Sequence, residues 1–247
     1  MQYHLDTIPV WESLEQTEMC PFCHLFQKCE QGEVERSLGG AVMEPEVRVR
    51  MNHTGLCARH HEQIYELQNR LGHSLLMESH IKELLPHLEK AQKKLEASSA
   101  PGGLLRKNTA VQDFLKELEA MNHSCAICED IESHMQRYFY TFLHLWKTDA
   151  SFRSRWQNSQ GLCAPHTEAL IRAACQHLDA GNQKKLTEEA AKLLCAKLKE
   201  DGEDLTRFIS KFDYRHQNDP WGTCRDAPQR CANRLRGWCV QTEPKQK

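Results

Sequence analysis

The sequence predicts an all-α protein built from two similar helical modules, each stapled by a Cys3His metal site, with a C-terminal extension. Apolar residues recur at intervals of three and four along most of the chain, as in helices that bury one face. No segment has the alternating pattern that is typical of a strand. A metal-ligand pattern also occurs twice, and the sequence around it repeats after about 105 residues.

The repeated pattern joins a C-x2-C pair to a G-L-C-x2-H segment. The two cysteine pairs are separated from the following C-x2-H by 33 residues in the first copy and by 34 in the second. Three thiolates and one imidazole complete the tetrahedral coordination of Zn²⁺. The spacing therefore predicts two zinc ions per chain, one in each copy. The ligands are Cys20, Cys23, Cys57 and His60 in the first copy, and Cys125, Cys128, Cys163 and His166 in the second.

The repeat extends to an R-x-R pair that precedes each G-L-C. A shift of 105 residues places Arg48 and Arg50 on Arg153 and Arg155, and the shift becomes 106 at G-L-C. Duplication of a module accounts for these matches. The arginines either offset the negative charge of the thiolate sites or are ordinary surface residues of a helix, and the sequence leaves both readings open.

The alignment of the two copies also selects the histidine ligand. His60 aligns with His166, so we assign His60 to the metal and treat the adjacent His61 as a neighbour. A C-x2-H pair that opens a helix places both ligands on one face of its first turn. Free N–H groups and the positive end of the helix dipole favour thiolate there. We expect the C-x2-C pair to form a tight knuckle that connects to the preceding helix.

Helical periodicity and turn-forming residues set the expected element boundaries. Pro86 is expected to kink or break the helix that contains it. Thr109 and Gln112 form a capping box, which predicts that a helix begins there. The aromatic stripe from Tyr138 to Trp146 has helical spacing and is assigned to the core rather than to a cofactor surface. The resulting parts are a first metal-binding module (1–97), a linker (98–108), a second metal-binding module (109–200) and a C-terminal helix and tail (201–247).

Composition limits the class of protein. The 247 residues include no apolar stretch of about 18 residues, so no transmembrane helix is expected. The N-terminus lacks the basic start and apolar region of a signal peptide, so we expect a cytoplasmic location. In such a chain, twelve cysteines indicate metal binding more than disulfides. Cys29 and Cys195, within helical patterns, are expected to be buried or half-buried thiols.

The segment after the second module reads K-F-D-Y-R-H-Q-N-D-P-W-G at residues 211–222. It forms either a polar site around Asp213–His216 or a tail that docks through Tyr214 and Trp221, with Arg215 pairing to an acid. The docked tail is favoured, because a polar cluster alone does not define a site. Three further cysteines have C-x6-C-x7-C spacing, which matches no common zinc pattern. They are Cys224, Cys231 and Cys239.

These motifs carry a family resemblance. The two C-x2-C…G-L-C-x2-H copies and the closing K-F-D-Y-R…P-W-G resemble an uncharacterised bacterial family known only as a domain of unknown function. The resemblance covers the chain from Cys20 to Gly222. It implies a cytoplasmic bacterial protein with paired metal-type motifs. It implies no activity and no catalytic residues.

We interpret the chain as a non-enzymatic zinc-binding protein that serves as a scaffold for a protein partner. Four protein ligands leave no open position for water or substrate, which catalytic zinc normally needs. The alternative is a thiol-redox or metal-handling protein that holds zinc or an iron–sulfur cluster. Nucleic-acid binding is less favoured, because the chain is slightly acidic and its basic residues are dispersed. No sequence motif of a hydrolase, metalloprotease or phosphate-binding enzyme identifies a catalytic residue.

Overall fold

The computed structural model describes residues 3–39, 44–98 and 104–241. These residues form eleven α-helices and a 3₁₀ turn at Gly222–Cys224, with no strand among them, which confirms the all-α prediction. None of the helices in this part of the chain combines the length and the apolar character needed to cross a bilayer. The helices are α1 (Tyr3–Ser13), α2 (Pro21–Leu38), α3 (Pro45–Thr54), α4 (Ala58–Glu66), α5 (Arg70–Ser98), α6 (Leu104–His123), α7 (Ala126–Thr148), α8 (Ala150–Gln157), α9 (Ala164–His177), α10 (Ala180–Ser210) and α11 (Ala227–Arg236).

The chain forms two compact units. Unit 1 combines Met1–Lys28 with His134–Lys247, and unit 2 consists of Cys29–Ser133. The boundaries fall inside α2 and α7, so each unit contains residues from both sequence copies. The compact units therefore do not coincide with the modules expected at 1–97 and 109–200.

Unit 1 has an aromatic core. The ring of Phe142 meets the rings of Phe152 and Trp156 edge to face, at centroid distances of 5.1 and 5.2 Å. Phe22 stacks on Phe139 at 4.2 Å. Trp146 is also buried, so the assignment of the aromatic stripe to the core is confirmed. Such pairs each add about 0.5–1.5 kcal/mol beyond the burial of their area.

Unit 2 is built around α5, which packs against α3, α4 and α6. Its core contains Met51, Ile64 and Leu76. Pro86 does not break α5, which continues to Ser98, so the expected break is wrong. A proline in a helix removes one backbone hydrogen bond, and the packing of α5 against its neighbours is the interaction available to offset that loss.

Two expected boundaries near the linker also differ from the structure. Helix α6 begins at Leu104, before the capping box at Thr109, so the helix start predicted from Thr109 and Gln112 is wrong. The intervening L-L-R-K-N run contains strong helix formers, which extend the helix toward the N-terminus. Of the predicted linker 98–108, the two ends are helical, and residues 99–103 lie outside the described residues.

Candidate metal centres

The eight predicted ligands converge in two clusters of three cysteines and one histidine. In each cluster the four donor atoms all lie within 4.8 Å of one another, and each cluster lies inside one compact unit. Site 1, in unit 1, consists of Cys20, Cys23, Cys163 and His166, and site 2, in unit 2, consists of Cys57, His60, Cys125 and Cys128.

The pairing of the ligands differs from the prediction. The sequence analysis joined Cys20 and Cys23 to Cys57 and His60, so that each copy formed its own site. In the structure the C-x2-C of each copy joins the C-x2-H of the other, and the prediction of one site per copy is wrong. Spacing cannot distinguish the two pairings, because the entropy of closing a loop rises only with the logarithm of its length.

All four ligand pairs lie at helix N-termini. Helices α2 and α7 begin one residue after the first cysteine of a C-x2-C pair. Helices α4 and α9 begin one residue after Cys57 and Cys163, which occupy the N-cap positions. Each site therefore lies at the positive ends of two helices, where free N–H groups and the dipoles stabilise thiolate. The prediction that the C-x2-H pair opens a helix is confirmed. The expected connection of the C-x2-C knuckle to the preceding helix is wrong, because each C-x2-C pair opens the helix that follows it.

The glycine of each G-L-C makes the turn that leads into the C-x2-H helix. Gly55 and Gly161 have φ angles of 72° and 70°, in the left-handed region that favours glycine. A Cβ atom at Gly55 would lie 2.5 Å from Nε2 of His80. A Cβ atom at Gly161 would lie 3.1 Å from Cγ of Leu193. The backbone conformation and the limited space both require glycine at these positions.

One backbone contact distinguishes the two sites. The N–H of Ala126 donates to the carbonyl of Gly55 at 3.0 Å, which links the C-x2-C knuckle of site 2 to its G-L-C turn. The residue equivalent to Ala126 in the other C-x2-C is Pro21. Proline has no N–H, so the same hydrogen bond cannot form in site 1.

The donor distances in site 2 fit a tetrahedral ion. Nδ1 of His60 lies 3.3 Å from Sγ of Cys57, 3.2 Å from Sγ of Cys125 and 3.5 Å from Sγ of Cys128. The sulfurs of Cys57 and Cys128 are 3.8 Å apart. Bonds of about 2.3 Å to sulfur and about 2.0 Å to nitrogen in a tetrahedron separate two sulfurs by about 3.8 Å and sulfur from nitrogen by about 3.5 Å.

Site 1 has the same dimensions. Nδ1 of His166 lies 3.5 Å from Sγ of Cys20, 3.4 Å from Sγ of Cys23 and 3.2 Å from Sγ of Cys163. The sulfurs of Cys23 and Cys163 are 3.8 Å apart. The residues of both clusters therefore fit a tetrahedral ion that takes sulfur and nitrogen ligands.

The thiols of site 1 compete for negative charge when no cation compensates it. Hydrogen bonds from Cys20 and Cys23 hold the pKa of Cys163 far below its usual value. The pKa of Cys23 is raised to about 12, first by its hydrogen bond to Cys163, and burial raises the pKa of Cys20. A divalent cation is the kind of group that allows all three sulfurs to be thiolates.

Site 2 divides its charge in the same way. Burial would raise the pKa of Cys57, but hydrogen bonds that include the backbone N–H groups of His60 and Arg59 outweigh burial and lower it. Partial desolvation of its sulfur, together with the neighbouring Cys125, raises the pKa of Cys128 to about 12, although the residue as a whole is exposed. A bound cation would favour the thiolate form of Cys128 as well.

Sequence reasoning missed Glu30, which contacts the histidine of site 2. Its Oε1 lies 3.3 Å from Nε2 of His60, and its Oε2 accepts a hydrogen bond from Arg59 at 2.6 Å. A carboxylate on the second nitrogen of a ligand histidine orients the ring toward the metal. No repeat signal could have found this residue, because its equivalent in the second copy is Met135. In site 1 the ring of His166 instead lies 5.9 Å from that of Phe22.

The R-x-R arginines pair mainly with carboxylates. Arg50 forms two hydrogen bonds with Asp130, two residues beyond the ligand Cys128. In the second copy Arg153, the repeat equivalent of Arg48, pairs with Glu189, which also accepts a hydrogen bond from Nε1 of Trp146 at 2.8 Å. The sequence left open whether the arginines offset the charge of the thiolate sites or are ordinary surface residues. These ion pairs favour neither reading, because the partners of Arg50 and Arg153 are carboxylates of the same unit.

The polar segment Asp213–His216 is held by local pairs. Arg215 binds Asp213 at 2.6 Å, and Nδ1 of His216 lies 3.0 Å from Oδ2 of Asp219. Pairing of Arg215 to an acid is therefore confirmed. Docking through Tyr214 is wrong, because its side chain is 82 % exposed. The loop is closed instead through its backbone, because Nζ of Lys211 donates to the carbonyls of His216 and Asp219.

The other cysteines form no third cluster among the described residues. The thiol of Cys224 donates to the carbonyl of Trp221 at 2.8 Å, and Cys231 contacts the carbonyl of Asp201 at 3.6 Å. Cys29 is half-buried as expected, whereas Cys195 is exposed, which corrects that assignment. Exposed thiols outside the sites are Cys175, Cys195 and Cys239.

Comparison with known proteins gives a family and no function. No curated protein and no solved structure matches the chain. The match to a family of unknown function, DUF6062, extends over residues 1–242 and confirms the resemblance indicated by the motifs. The chain with the two Cys3His clusters therefore belongs to the DUF6062 family.

Proposed function

We propose that this protein binds two zinc ions in structural Cys3His sites and acts as a non-enzymatic scaffold for a protein partner. The observation that carries the zinc assignment is the convergence of eight ligands into two four-donor clusters. Their sulfur–sulfur distances of 3.8 Å match those around a tetrahedral zinc ion. Three thiolates and one imidazole also suit zinc better than the oxygen-preferring cations.

A structural role follows from the number of ligands. With four protein donors, the ion has no position left for a water molecule or substrate. Each site joins two helix N-termini that are distant in sequence, so metal binding contributes directly to the stability of its unit. A cytoplasmic location fits this role, because free thiols persist in a reducing compartment.

An exposed apolar surface supports the scaffold role. It is formed by Ile209, Phe212 and Tyr214, whose side chains are 67 %, 75 % and 82 % exposed. The surface lies in and next to the K-F-D-Y-R segment, which Lys211 holds closed. Clustered exposed apolar residues are typical of surfaces that bind another protein. We propose this surface as the contact for a protein partner.

A metal-handling function is the second candidate, because the two sites differ in exposure. Cys128 of site 2 is exposed, whereas Cys23 and Cys163 of site 1 are buried. An exposed ligand thiolate can exchange its metal or be oxidised. An iron–sulfur cluster is the remaining metal alternative for these ligands.

The metal assignment is tested by the metal content and absorption spectrum of anaerobically purified protein. We expect two zinc per chain and no visible absorbance. Iron with a broad band near about 400 nm would overturn the zinc assignment. Removal of zinc with a chelator should lower the helical circular dichroism. A Cys175→Ala variant should keep both zinc ions and the same helical signal, since Cys175 is exposed and lies in neither cluster. It is the control for the loss of a cysteine that does not bind metal.

The scaffold role is tested by affinity capture with the intact chain and with a Phe212→Ser/Tyr214→Ser variant. A partner that binds the unaltered chain and is lost from the variant supports the proposed contact. The variant should retain two zinc ions, because both residues lie outside the clusters. Equal capture by the two proteins would contradict the assignment of this surface.

A further inference from the structure

The two clusters have the same ligand types but differ in how far the surrounding chain shields their ligands from solvent. In site 1, Cys23 and Cys163 are 5 % and 1 % exposed, and Cys20 and His166 are half-buried. In site 2, Cys57 is half-buried and Cys128 is exposed. An incoming ligand can therefore reach a metal-binding sulfur of site 2 that has no equally accessible counterpart in site 1.

The cover of site 1 comes from the segment that follows α11. A Cβ atom at Gly237 would lie 4.0 Å from Sγ of Cys23. The backbone N–H of Trp238 donates to the same sulfur. The free space beside the cluster is a cavity of about 30 Å³, lined by its thiols and by Arg230, Arg234 and Trp238. Such a cavity has room for one or two water molecules but not for a chelator.

Ion pairs fix this cover in place. Arg234 binds Asp201 and donates to the carbonyl of Gln160 at 3.0 Å. Arg230 binds Asp201 at 2.9 Å and Asp204 at 2.6 Å. Arg234 and both acids are buried, so the loss of one partner would leave a buried charge unpaired. The bonds hold α11 against α10 and against the residue that precedes the G-L-C turn of site 1.

In site 2 the residue equivalent to Gln160 is bound by a much smaller side chain than that of Arg234. Gln160 corresponds to Thr54, since both directly precede the glycine of G-L-C. The carbonyl of Thr54 accepts a hydrogen bond from Oγ of Ser124 at 2.6 Å. A serine hydroxyl thus takes the place that Arg234 occupies in site 1. Helix α11 follows the second copy of the repeat, and the described residues contain no counterpart of it after the first copy.

We propose that site 1 is a permanent structural centre, whereas site 2 is an exchangeable metal site that transfers its ion through Cys128 to a thiol-bearing metal acceptor. The inference rests on the proposed zinc binding and restricts the permanent structural role to site 1. In the first exchange, a zinc–sulfur bond to the incoming thiolate would form as the bond to Cys128 breaks, and further acceptor ligands would then replace Cys57, Cys125 and His60 one at a time. Each thiol that enters would give its proton to the ligand that it displaces, and no electrons are transferred.

The remaining ligands of site 2 are arranged to hold the ion during this step. Cys125 and His60 are buried, and Glu30 contacts the outer nitrogen of His60. Cys57 is held at a helix N-cap, at the positive end of the helix dipole. Cys128 is the one ligand of the four that is exposed, so its exchange requires no opening of the unit.

The test is zinc release from the intact two-zinc protein to the chromogenic chelator 4-(2-pyridylazo)resorcinol. We expect one equivalent to be released at least about tenfold faster than the other, given that groups around a site change metal affinity by 10- to 100-fold. A Cys57→Ala variant should retain the slow equivalent, and a Cys163→Ala variant the fast one. Release of both equivalents in a single phase would overturn the inference.

Labelling of the unaltered protein assigns the fast phase even if a variant fails to fold. After one equivalent has left, iodoacetamide followed by peptide mass spectrometry should modify the cysteines of site 2 before those of site 1. Cys175, Cys195 and Cys239 should react from the start and serve as internal references, because they are exposed. Earlier modification of Cys20 or Cys163 would contradict the inference.

Two further results separate the inference from the proposal on which it rests. Purified protein without zinc would contradict the proposed function itself, whereas two zinc ions released at equal rates would contradict only the exchange. An Arg234→Ala variant should speed the slow phase by about tenfold, because Arg234 holds the cover over site 1. An unchanged slow phase in that variant would contradict the role assigned to α11.

Discussion

Nε2 of His60 lies 3.3 Å from Oε1 of Glu30, while Nδ1 of the same ring faces the three sulfurs of site 2. A carboxylate at this distance selects the tautomer with the proton on Nε2. The lone pair of Nδ1 is then directed at the position of the ion. Arg59 binds the other oxygen of Glu30 and holds the carboxylate in place.

The first prediction concerns this contact. Replacement Glu30→Ala should weaken zinc binding at site 2 by about 10- to 100-fold, because the imidazole loses the group that orients it. Site 1 should be unaffected. Competition with a chelator of known affinity measures both sites. Glu35→Ala is the matched control, as Glu35 is an exposed carboxylate on the same helix. Equal weakening of the two sites would contradict the assigned role.

The second prediction tests the pairing of the ligands. The double variant Cys57→Ala/Cys125→Ala should lose one zinc equivalent, because both sulfurs belong to site 2. The double variant Cys20→Ala/Cys57→Ala should lose two, because it removes a ligand from each site. Metal analysis of the purified variants gives the counts. The pairing inferred from spacing requires the opposite result.

The third prediction concerns the turn before Cys57. Replacement Gly55→Ala should lower the free energy of unfolding by about 1–3 kcal/mol, since alanine is strained at this φ angle and its Cβ would meet His80. Gly32→Ala is the control. Gly32 lies within α2, and its added Cβ would have no neighbour within 4 Å. That variant should gain about 0.5–1 kcal/mol. Chemical denaturation of the zinc-loaded proteins measures both changes.

The fourth prediction is a pH dependence in unit 1. Burial alone would raise the pKa of Glu189, but hydrogen bonds from Arg153 and Trp146 lower it below its usual value. The stability that this group contributes is present above its unfolded pKa and is lost as pH falls through the lower folded pKa. Glu189→Gln should therefore be less stable than the unaltered protein at pH 7, by about 1.5–3 kcal/mol.

That difference should disappear in acid, below the folded pKa of Glu189. Because the ligand thiolates also protonate in acid, the quantity to compare is the difference between the two proteins at each pH. Thermal unfolding of matched samples provides it. A difference that stays constant from neutral to acid pH would show that the carboxylate charge is not the source of the stabilisation.

The sequence was sufficient for the parts of the site that depend on local structure. Each ligand pair lies at three-residue spacing in the first turn of a helix, so the motif alone identifies its residues. Which C-x2-H pair joins each C-x2-C pair was not predictable. The separations of 33 and 34 residues allow a C-x2-C pair to share a metal ion with the C-x2-H pair of its own copy or with that of the other copy. Glu30 and Arg234 were not predictable either, because the second copy has Met135 at the position of Glu30 and Arg234 lies in a segment that follows both copies.

The exchanged pairing has a consequence for how the chain folds. Cys23 and Cys163 are 140 positions apart. Cys20 and Cys23 are therefore synthesised first, but their site cannot be completed until Cys163 and His166 have followed. Cys57 and His60 are available to them much earlier, and closing that shorter loop costs about 1 kcal/mol less. Zinc that is present from the start should therefore favour a misligated intermediate, whose metal must change partners before the native helices can pack.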